Sequence, residues 1–243
     1  GCDHVCTYCI VPFTRGREVS RPRADVLREV ERLVADGVRE ITFLGQNINT
    51  YGKDRPDEGG LCALLEEAAR LEGLDRLRFL TSNPFDMTED MMRRFGAVPK
   101  VMPWLHIPAQ SGADTVLARM KRTYTADGYR EVVAWARRHV PGVEITSDFI
   151  VGFPGETDAE FAATLRLLEE VRPVQAYVFK YSVRPNTLAA RTLDDDVPEE
   201  TKKARNLVLL EAQDRIAQAA NDALVGGEVE VLLDAPSKTD ATR

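Results

Sequence analysis

The sequence is poor in cysteine and has neither a long apolar run nor an excess of basic residues. Its 243 residues include 4 cysteines, too few for the disulfide framework that stabilises many secreted domains. No stretch reaches the ~18 consecutive apolar residues that a membrane span needs. No basic segment followed by an apolar one opens the chain. We therefore expect a protein that makes no use of a membrane and lies in the reducing cytoplasm.

The net charge of −7 argues against a protein whose whole surface binds nucleic acid, because phosphate binding depends on Lys and Arg. Basic residues are nevertheless clustered locally, since residues 12–23 contain four arginines and one acidic residue. A local basic rim can steer RNA even on an acidic protein. With 44% hydrophobic and 29% charged residues, the composition fits one large globular domain or two small ones.

Three of the cysteines, Cys2, Cys6 and Cys9, form a C-x3-C-x2-C pattern at the start of the chain. Three thiolates on one loop can hold three irons of a cubane iron–sulfur cluster and leave the remaining iron open for a ligand. A zinc knuckle or a redox loop is the alternative, but no further Cys or His follows at a zinc-like spacing. We expect His4 to be an exposed loop residue and Cys62 to be a buried apolar one.

Strand-like runs alternate with amphipathic helical runs between residues 20 and 180, a pattern typical of βα units with a parallel sheet. The predicted strands cover 41–44, 77–81, 101–106, 144–151 and 175–180. The predicted helices cover 26–34, about 60–72, about 88–95, 126–139, a segment opened by the capping box at 157–160, and about 199–222. An alternating apolar pattern at 225–233 predicts the beginning of a further strand.

Four of the five predicted strands are followed by small or uncharged polar residues. Gly45-Gln46-Asn47, Ser82-Asn83, Gln110-Ser111 and the run from Gly152 to Gly155 occupy these positions. The carboxyl ends of parallel strands meet at one edge, and reacting groups gather there. Glycines allow close backbone approach and amides satisfy polar groups, so this lining suits a zwitterionic ligand that carries an adenosine.

The cysteine spacing, with Tyr8 directly before the last Cys, resembles the cluster loop of the radical S-adenosylmethionine superfamily. The runs 6–22, 43–52 and 107–112 further resemble the methylthiotransferases, in particular their tRNA-modifying branch. The resemblance implies an open partial TIM barrel of (β/α)6 type whose first strand would precede Gly1 and is largely missing by truncation. It implies a radical SAM core over 1–222 and the beginning of a small β-barrel TRAM domain over 223–243. An N-terminal methylthiotransferase domain with a second 4Fe-4S cluster is expected in the family and absent from this chain.

The resemblance also implies two cofactors, a 4Fe-4S cluster held by the three cysteines and S-adenosylmethionine. In the superfamily the run at 45–47 stands where the methionine amino group binds, and Ile150 and Gly152 lie near adenine. The expected cofactor-binding residues are Cys2, Cys6, Cys9, Tyr8, Gly45, Gln46, Asn47, Ser82, Gln110, Asp148, Ile150 and Gly152. Because the cofactors carry the difficult step, no side chain is named as catalytic.

The activity implied by the resemblance is insertion of a methylthio group into the N6-isopentenyl adenosine beside the tRNA anticodon. Methylthiolation of a ribosomal-protein aspartate or of threonylcarbamoyl-adenosine in tRNA is the nearest alternative. A non-enzymatic module that binds metal and RNA is an alternative of another class. Phe13, Arg15 and Arg17 are the expected RNA-binding residues, because an aromatic ring beside basic groups can stack on a base. The expected partners are tRNA and an electron donor such as flavodoxin or ferredoxin, and the expected state is a monomer.

Overall fold

Five parallel strands cross the protein in the order in which they occur along the chain. They are β1 (Glu40–Leu44), β2 (Arg76–Leu80), β3 (Trp104–His106), β4 (Glu144–Val151) and β5 (Gln175–Lys180). β1 pairs with β2, and β4 pairs with both β3 and β5, all in parallel. A bridge between Leu77 and Val101 connects the two groups. The computed structural model describes residues 1–233, and within them the predicted α/β fold with parallel strands is confirmed.

The third strand is shorter than the sequence predicts. Regular pairing begins at Trp104 rather than at Val101, although Val101 makes its isolated bridge to Leu77. Pro103 lies between them and has no N–H to donate to a neighbouring strand, so it interrupts the ladder. The Trp104 N–H turns back to the Met102 carbonyl at 2.8 Å.

The helices within the described residues are α1 (Val11–Arg15), α2 (Arg23–Ala35), α3 (Gly60–Ala68), α4 (Glu89–Gly96), α5 (Asp114–Arg119), α6 (Ala126–His139), α7 (Asp158–Val171), α8 (Leu188–Thr192) and α9 (Glu199–Asp222). The capping box predicted for α7 is formed by Thr157 and Glu160. Helices α1, α5 and α8 were not predicted, because five or six residues are too few to establish a helical period. Within residues 1–233 no helix combines the length and apolar character that crossing a membrane requires.

The two faces of the sheet have different surroundings. On one face Leu77, Leu105 and Ile145 are 0%, 1% and 2% exposed, because the helices pack against it. The other face carries polar and aromatic side chains, among them His106 and Asp148. This second face leads to the carboxyl ends of the strands, where the sequence predicts the site.

Residues 223–233 follow α9 and contain neither helix nor strand. The side chains of Val229, Val231 and Leu233 are exposed by 63%, 66% and 89%. The alternating pattern therefore does not form the predicted strand here, because no strand among residues 1–233 covers these side chains. Residues 234–243, the rest of the predicted TRAM segment, lie outside the described residues. The TRAM domain, the strand before Gly1 and the domain limits stay predictions.

Candidate active site at the carboxyl ends of the strands

Residues 1–10, which we call the cysteine loop, are held in the middle by Thr7. The Thr7 N–H donates to the Met120 carbonyl at 3.0 Å, and its hydroxyl donates to the Arg119 carbonyl at 2.9 Å. The Thr7 carbonyl accepts from the Ala189 N–H at 2.7 Å. Met120 ends α5 and Ala189 lies in α8. Two helices that follow β3 and β5 therefore fix the loop.

The three thiols of the cysteine loop lie close enough to influence one another's charge. Cys6 is buried, whereas Cys2 and Cys9 are half-buried. Burial raises the pKa of Cys2, and nearby Glu18, Cys6 and Cys9 raise it further. Burial also raises the pKa of Cys9, and Cys6 adds to this effect. A positively charged group bound among the thiols would relieve this mutual repulsion and favour the thiolates.

This donor set fits an iron–sulfur cubane better than a single metal ion. Within residues 1–233 no three His, Cys, Asp or Glu side chains converge as ligands of one ion would. A cubane requires less convergence, because each thiolate binds a different iron. Cys62 takes no part: it is 5% exposed within α3, and burial raises its pKa to about 11. The prediction that Cys62 is a buried apolar residue is confirmed.

Arg122 is a cation beside the cysteine loop that the sequence analysis did not assign to the site. Its guanidinium donates to the Cys6 Sγ at 3.2 Å, to the Asn83 Oδ1 at 3.2 Å and to the Tyr124 hydroxyl at 3.1 Å. Burial lowers the pKa of Arg122, but Tyr124, Tyr8 and Cys6 outweigh burial and raise it above its ordinary value. Arg122 therefore places a permanent positive charge against the thiols.

Asp86 joins the cysteine loop to the ends of β1 and β2. One of its carboxylate oxygens lies 2.7 Å from the His4 Nε2 and accepts from the Asn47 Nδ2 at 2.9 Å. Burial raises the pKa of Asp86, but these two hydrogen bonds outweigh burial and hold the pKa below its usual range. The prediction that His4 is exposed is wrong, because the contact with Asp86 leaves its side chain 20% exposed.

Asn47 presents an unused acceptor at the end of β1. Its Oδ1 is buried and has no hydrogen-bond partner among residues 1–233. A buried amide oxygen without a partner carries a desolvation cost that a bound N–H donor would offset. This observation fits the predicted contact between the run at 45–47 and the amino group of a ligand.

Tyr8 packs against the loop that follows β4. Its ring meets the Phe153 ring edge-on with centroids 6.3 Å apart, and Phe153 meets Tyr181 in the same manner at 5.1 Å. Ile150 packs against the same apolar cluster. Burial raises the pKa of Tyr8 far above its ordinary value, so the phenol stays neutral. The structure thus brings Tyr8 and Ile150 to one side of the cysteine loop.

Gln110 and Asp148 meet where the chain continues from β3 alongside β4. The Gln110 N–H donates to the Asp148 carbonyl at 2.8 Å, and the Ile150 N–H donates to the Gln110 carbonyl at 2.9 Å. Gln110 has a φ of 65°, a strained value for a residue with a side chain. The Asp148 Oδ2 lies 3.3 Å from the His106 Nε2. Three predicted cofactor-binding residues are therefore adjacent.

Gly152 is held by helix α9. Its φ is 68°, and a Cβ at this position would lie 2.3 Å from the Lys202 Cγ, so other residues do not fit without displacement. The Gly152 N–H donates to the Glu156 Oε2 at 2.7 Å. The same carboxylate accepts from the Arg205 Nη1 at 2.8 Å. The Glu156 and Arg205 side chains are 0% and 7% exposed, so a buried ion pair fixes the loop that follows β4.

Gly45 and Ser82 lie where β1 and β2 end. The Gly45 N–H donates to the Leu80 carbonyl at 2.7 Å, and the Thr81 N–H donates to the Gly45 carbonyl at 3.0 Å. These bonds continue the pairing of the two strands. Ser82 is buried and Gln46 is exposed.

A cavity of about 680 Å³ lies beside β1. Gly45, Gln46 and Asn47 line it together with apolar residues of α2 and β1, whereas the three cysteines and Gly152 do not. This cavity therefore does not unite the predicted site residues. A single cavity that contains both the cysteines and the strand ends stays a prediction.

Phe13, Arg15 and Arg17 are exposed in the segment that directly follows the cysteine loop. Phe13 is 70% exposed in α1, and both arginines are exposed. The Cys2 N–H donates to the Gly16 carbonyl at 3.1 Å, so this segment folds back against the start of the loop. An aromatic ring and two cations are thus available to a partner.

Residues 1–168 match the family model described as the Radical SAM superfamily. The chain belongs to the radical SAM superfamily. The predicted superfamily is thereby confirmed, and the match includes the cysteine loop and the residues at the ends of β1 to β4.

Relatives of this radical SAM protein include two enzymes named tRNA-2-methylthio-N(6)-dimethylallyladenosine synthase. That of Acidithiobacillus ferrooxidans is 50% identical over 243 residues, covering 99% of this chain and 54% of that protein. That of Moorella thermoacetica is 48% identical over 240 residues, with the same coverages of 99% and 54%. The chain spans about half the length of these curated relatives.

Solved structures with the same radical SAM fold have much lower sequence identity. A radical S-adenosylmethionine methyltransferase from Kitasatospora setae has a TM-score of 0.64 at 20% identity, over 78% of this chain and 37% of that one. Coproporphyrinogen III oxidase from Escherichia coli has a TM-score of 0.61 at 21% identity, over 90% of this chain and 50% of that one. At sequence identities of 20% and 21%, these similarities show a shared fold and nothing about the reaction.

Sequence reasoning missed three charged residues of the site, Asp86, Arg122 and Glu156. Glu156 follows a glycine-rich strand end directly, which was a usable signal. Arg122 lies in the basic run from Arg119, which was also visible. Asp86 carries no local signal, since its importance comes from its contact with a loop 82 residues away.

Proposed function

We propose that this radical SAM protein carries out the radical step in the insertion of a methylthio group at C2 of the N6-dimethylallyl adenosine beside the tRNA anticodon, with the sulfur coming from a donor that the cysteines of this chain do not form. The observation that carries the proposal is the three-thiol loop, which Asp86 links to Asn47 at the end of β1 and Arg122 links to Asn83 at the end of β2. Identity of 50% to an enzyme named for this product supports the choice of substrate. The proposed fold of this region is a partial (β/α)6 barrel.

Cys2, Cys6 and Cys9 would hold a 4Fe-4S cluster beside the S-adenosylmethionine proposed to bind at the strand ends. A bound cluster would pass an electron from the external donor to S-adenosylmethionine, and the cleavage would give methionine and a 5′-deoxyadenosyl radical. The proposed hydrogen abstraction then moves a hydrogen atom from C2 of the base to this radical, giving 5′-deoxyadenosine.

The residues of this chain bind and orient these groups. Arg122 supplies a fixed positive charge beside Cys6, suited to a carboxylate or to the net negative charge of a ligated cluster. The free Oδ1 of Asn47 accepts from the amino group. Asp148 and Gln110 offer hydrogen-bonding groups for the ribose, and Gly152, held by Glu156 and α9, fixes the strand end that is proposed to lie near the adenine.

Phe13, Arg15 and Arg17 are proposed to bind the tRNA loop, because an exposed aromatic ring can stack on a splayed base while cations contact phosphates. A flavodoxin or ferredoxin donor, a monomeric state and a cytoplasmic location complete the proposal.

Transfer of deuterium tests the substrate assignment. The anaerobically reconstituted protein is incubated with S-adenosylmethionine, dithionite as reductant and an anticodon stem–loop that carries N6-dimethylallyl adenosine deuterated at C2. We expect deuterium in the 5′-deoxyadenosine, detected by mass spectrometry. A matched RNA deuterated at C8 should transfer none. Equal labelling from both RNAs, or no label from either, would contradict the proposal.

A further inference from the structure

Two large aromatic side chains are exposed on β5. Tyr177 and Phe179 are 48% and 52% exposed. Their neighbours in the strand face the other way: Ala176 lies in the apolar core that α9 helps to cover, and Val178 packs against that core. Since side chains alternate along a strand, Tyr177 and Phe179 lie on the opposite, open face of the sheet. We call this pair the aromatic strip.

The aromatic strip is continuous with the candidate active site. In the pairing of β4 with β5, Asp148 is opposite Tyr177 and Ile150 is opposite Phe179. Directly paired residues place their side chains on the same face. The strip therefore borders the two residues of β4 that are proposed to contact the adenosine cofactor.

A cation lies between the aromatic strip and the cysteine loop. Arg184 is exposed in the turn after β5, and its carbonyl accepts from the Thr187 hydroxyl at 2.8 Å. Ala189, directly after this turn, donates its N–H to the Thr7 carbonyl of the cysteine loop at 2.7 Å. The chain thus runs from the strip, past Arg184, to the cysteines.

Adjacent exposed aromatic rings mark an interaction surface, because burying them is favourable and leaving them in water is not. We infer that the aromatic strip stacks on unpaired RNA bases that flank the target adenosine, with Arg184 contacting the backbone phosphate. The inference rests on the proposed function, since only a nucleic-acid substrate brings both flat bases and negative charge to this edge. Base stacking on aromatic rings together with a cation that follows the backbone is the arrangement that binds single-stranded nucleic acid.

RNA affinity of the apo chain tests the inference. The probe is a fluorescein-labelled anticodon stem–loop carrying N6-dimethylallyl adenosine, followed by fluorescence anisotropy. Phe179→Ala and Tyr177→Ala should each weaken binding roughly 5- to 150-fold, the range observed when one stacking ring is removed. Leu207→Ala and Leu210→Ala are matched controls, because these residues are 57% and 37% exposed on α9. The dissociation constants of the two control variants for the RNA should stay within about twofold of the wild-type value.

Salt dependence separates stacking from charge. Arg184→Ala should reduce the slope of log affinity against log salt by about 0.7, the value for one phosphate contact on a single strand. Phe179→Ala should lower the affinity and leave the slope unchanged. Wild-type affinity in both aromatic variants would overturn this inference while leaving the proposed function intact. A wild-type chain that binds no RNA would contradict the proposed function as well.

Discussion

Replacing Arg205 by methionine would leave a buried carboxylate without its counterion. Arg205 donates to the Glu156 Oε2 at 2.8 Å and to the Glu156 carbonyl at 3.0 Å. The Glu156 side chain is 0% exposed, so water cannot replace the lost donors. Methionine retains most of the length and apolar surface of the arginine stem. The substitution therefore removes the charge and the hydrogen bonds more than it removes packing.

Removal of one partner of a buried ion pair costs about 3–5 kcal/mol, because the other charge stays buried and uncompensated. In a chain of this size 1 kcal/mol shifts the melting temperature by about 2–4 °C, so we expect a decrease of roughly 6–20 °C. The double variant Glu156→Gln/Arg205→Met removes both charges and should recover much of this loss. The Gly152 loop, which Glu156 holds, should bind S-adenosylmethionine less tightly in the single variant.

The dependence on pH gives an independent check. Burial raises the pKa of Glu156, against the lowering effects of the Gly152 N–H and of Arg205. Without Arg205 the pKa rises further, so the folded variant binds a proton more tightly than the unfolded chain does. The stability of the Arg205→Met variant therefore falls as pH rises through the folded-state pKa of Glu156. Melting curves should show a smaller gap between variant and wild type at pH 5 than at pH 8. A loss below about 1 kcal/mol, far under the cost of an uncompensated buried charge, or an equal loss in the double variant would refute the reasoning.

Further predictions concern the cysteine loop and its surroundings. Asp86→Ala removes the contacts to His4 and Asn47, so the iron bound per chain after reconstitution should fall, whereas Asp90→Ala, an exposed change on α4, should leave it unchanged. Arg122→Met should weaken S-adenosylmethionine binding roughly tenfold or more, the loss expected for a hydrogen bond between charged groups, and Arg122→Lys should restore part of it in equilibrium dialysis. Gly152→Ala should raise the dissociation constant for S-adenosylmethionine and lower the melting temperature, because the new Cβ would clash with Lys202. Gly142→Ala is the control: its new Cβ would meet no atom within 4 Å, so this variant measures the cost of a positive φ alone. The reconstituted chain should form 5′-deoxyadenosine without methylthiolating tRNA, because Cys62 is the one cysteine outside the cluster triplet; methylthiolated RNA in nucleoside digests would contradict this expectation.

The sequence predicted those parts of the fold that depend on local periodicity. Strands β4 and β5 and helices α6 and α9 begin and end where the apolar pattern predicts, since each has enough residues to establish a period. Strand β3 was overestimated because the effect of Pro103 on pairing was not weighed. Within the described residues the strand predicted to begin at 225–233 does not form, because a strand also requires a neighbour, which an apolar pattern cannot supply.

For the site, cysteine spacing and strand ends led to the predictions for Cys2, Cys6, Cys9, Asn47, Asp148 and Gly152, which stay predictions. The charged residues that hold them were missed, because their roles arise from contacts between distant segments. Asp86 contacts His4, and Arg122 contacts Cys6 across 116 residues. His4 was expected to be exposed for the same reason. Such pairings depend on how the strands are arranged and are not encoded in the local sequence of either partner.

The most direct test of the radical SAM assignment is formation of 5′-deoxyadenosine by the anaerobically reconstituted protein with S-adenosylmethionine and dithionite. Three variants are compared: the wild type, Cys6→Ala, and Cys62→Ala as the matched loss of a buried thiol outside the loop. We expect the wild type and Cys62→Ala to release 5′-deoxyadenosine and Cys6→Ala to release none, because two thiolates hold the cubane poorly. Equal release by Cys6→Ala and the wild type, or none by a wild type that contains its iron, would contradict the account.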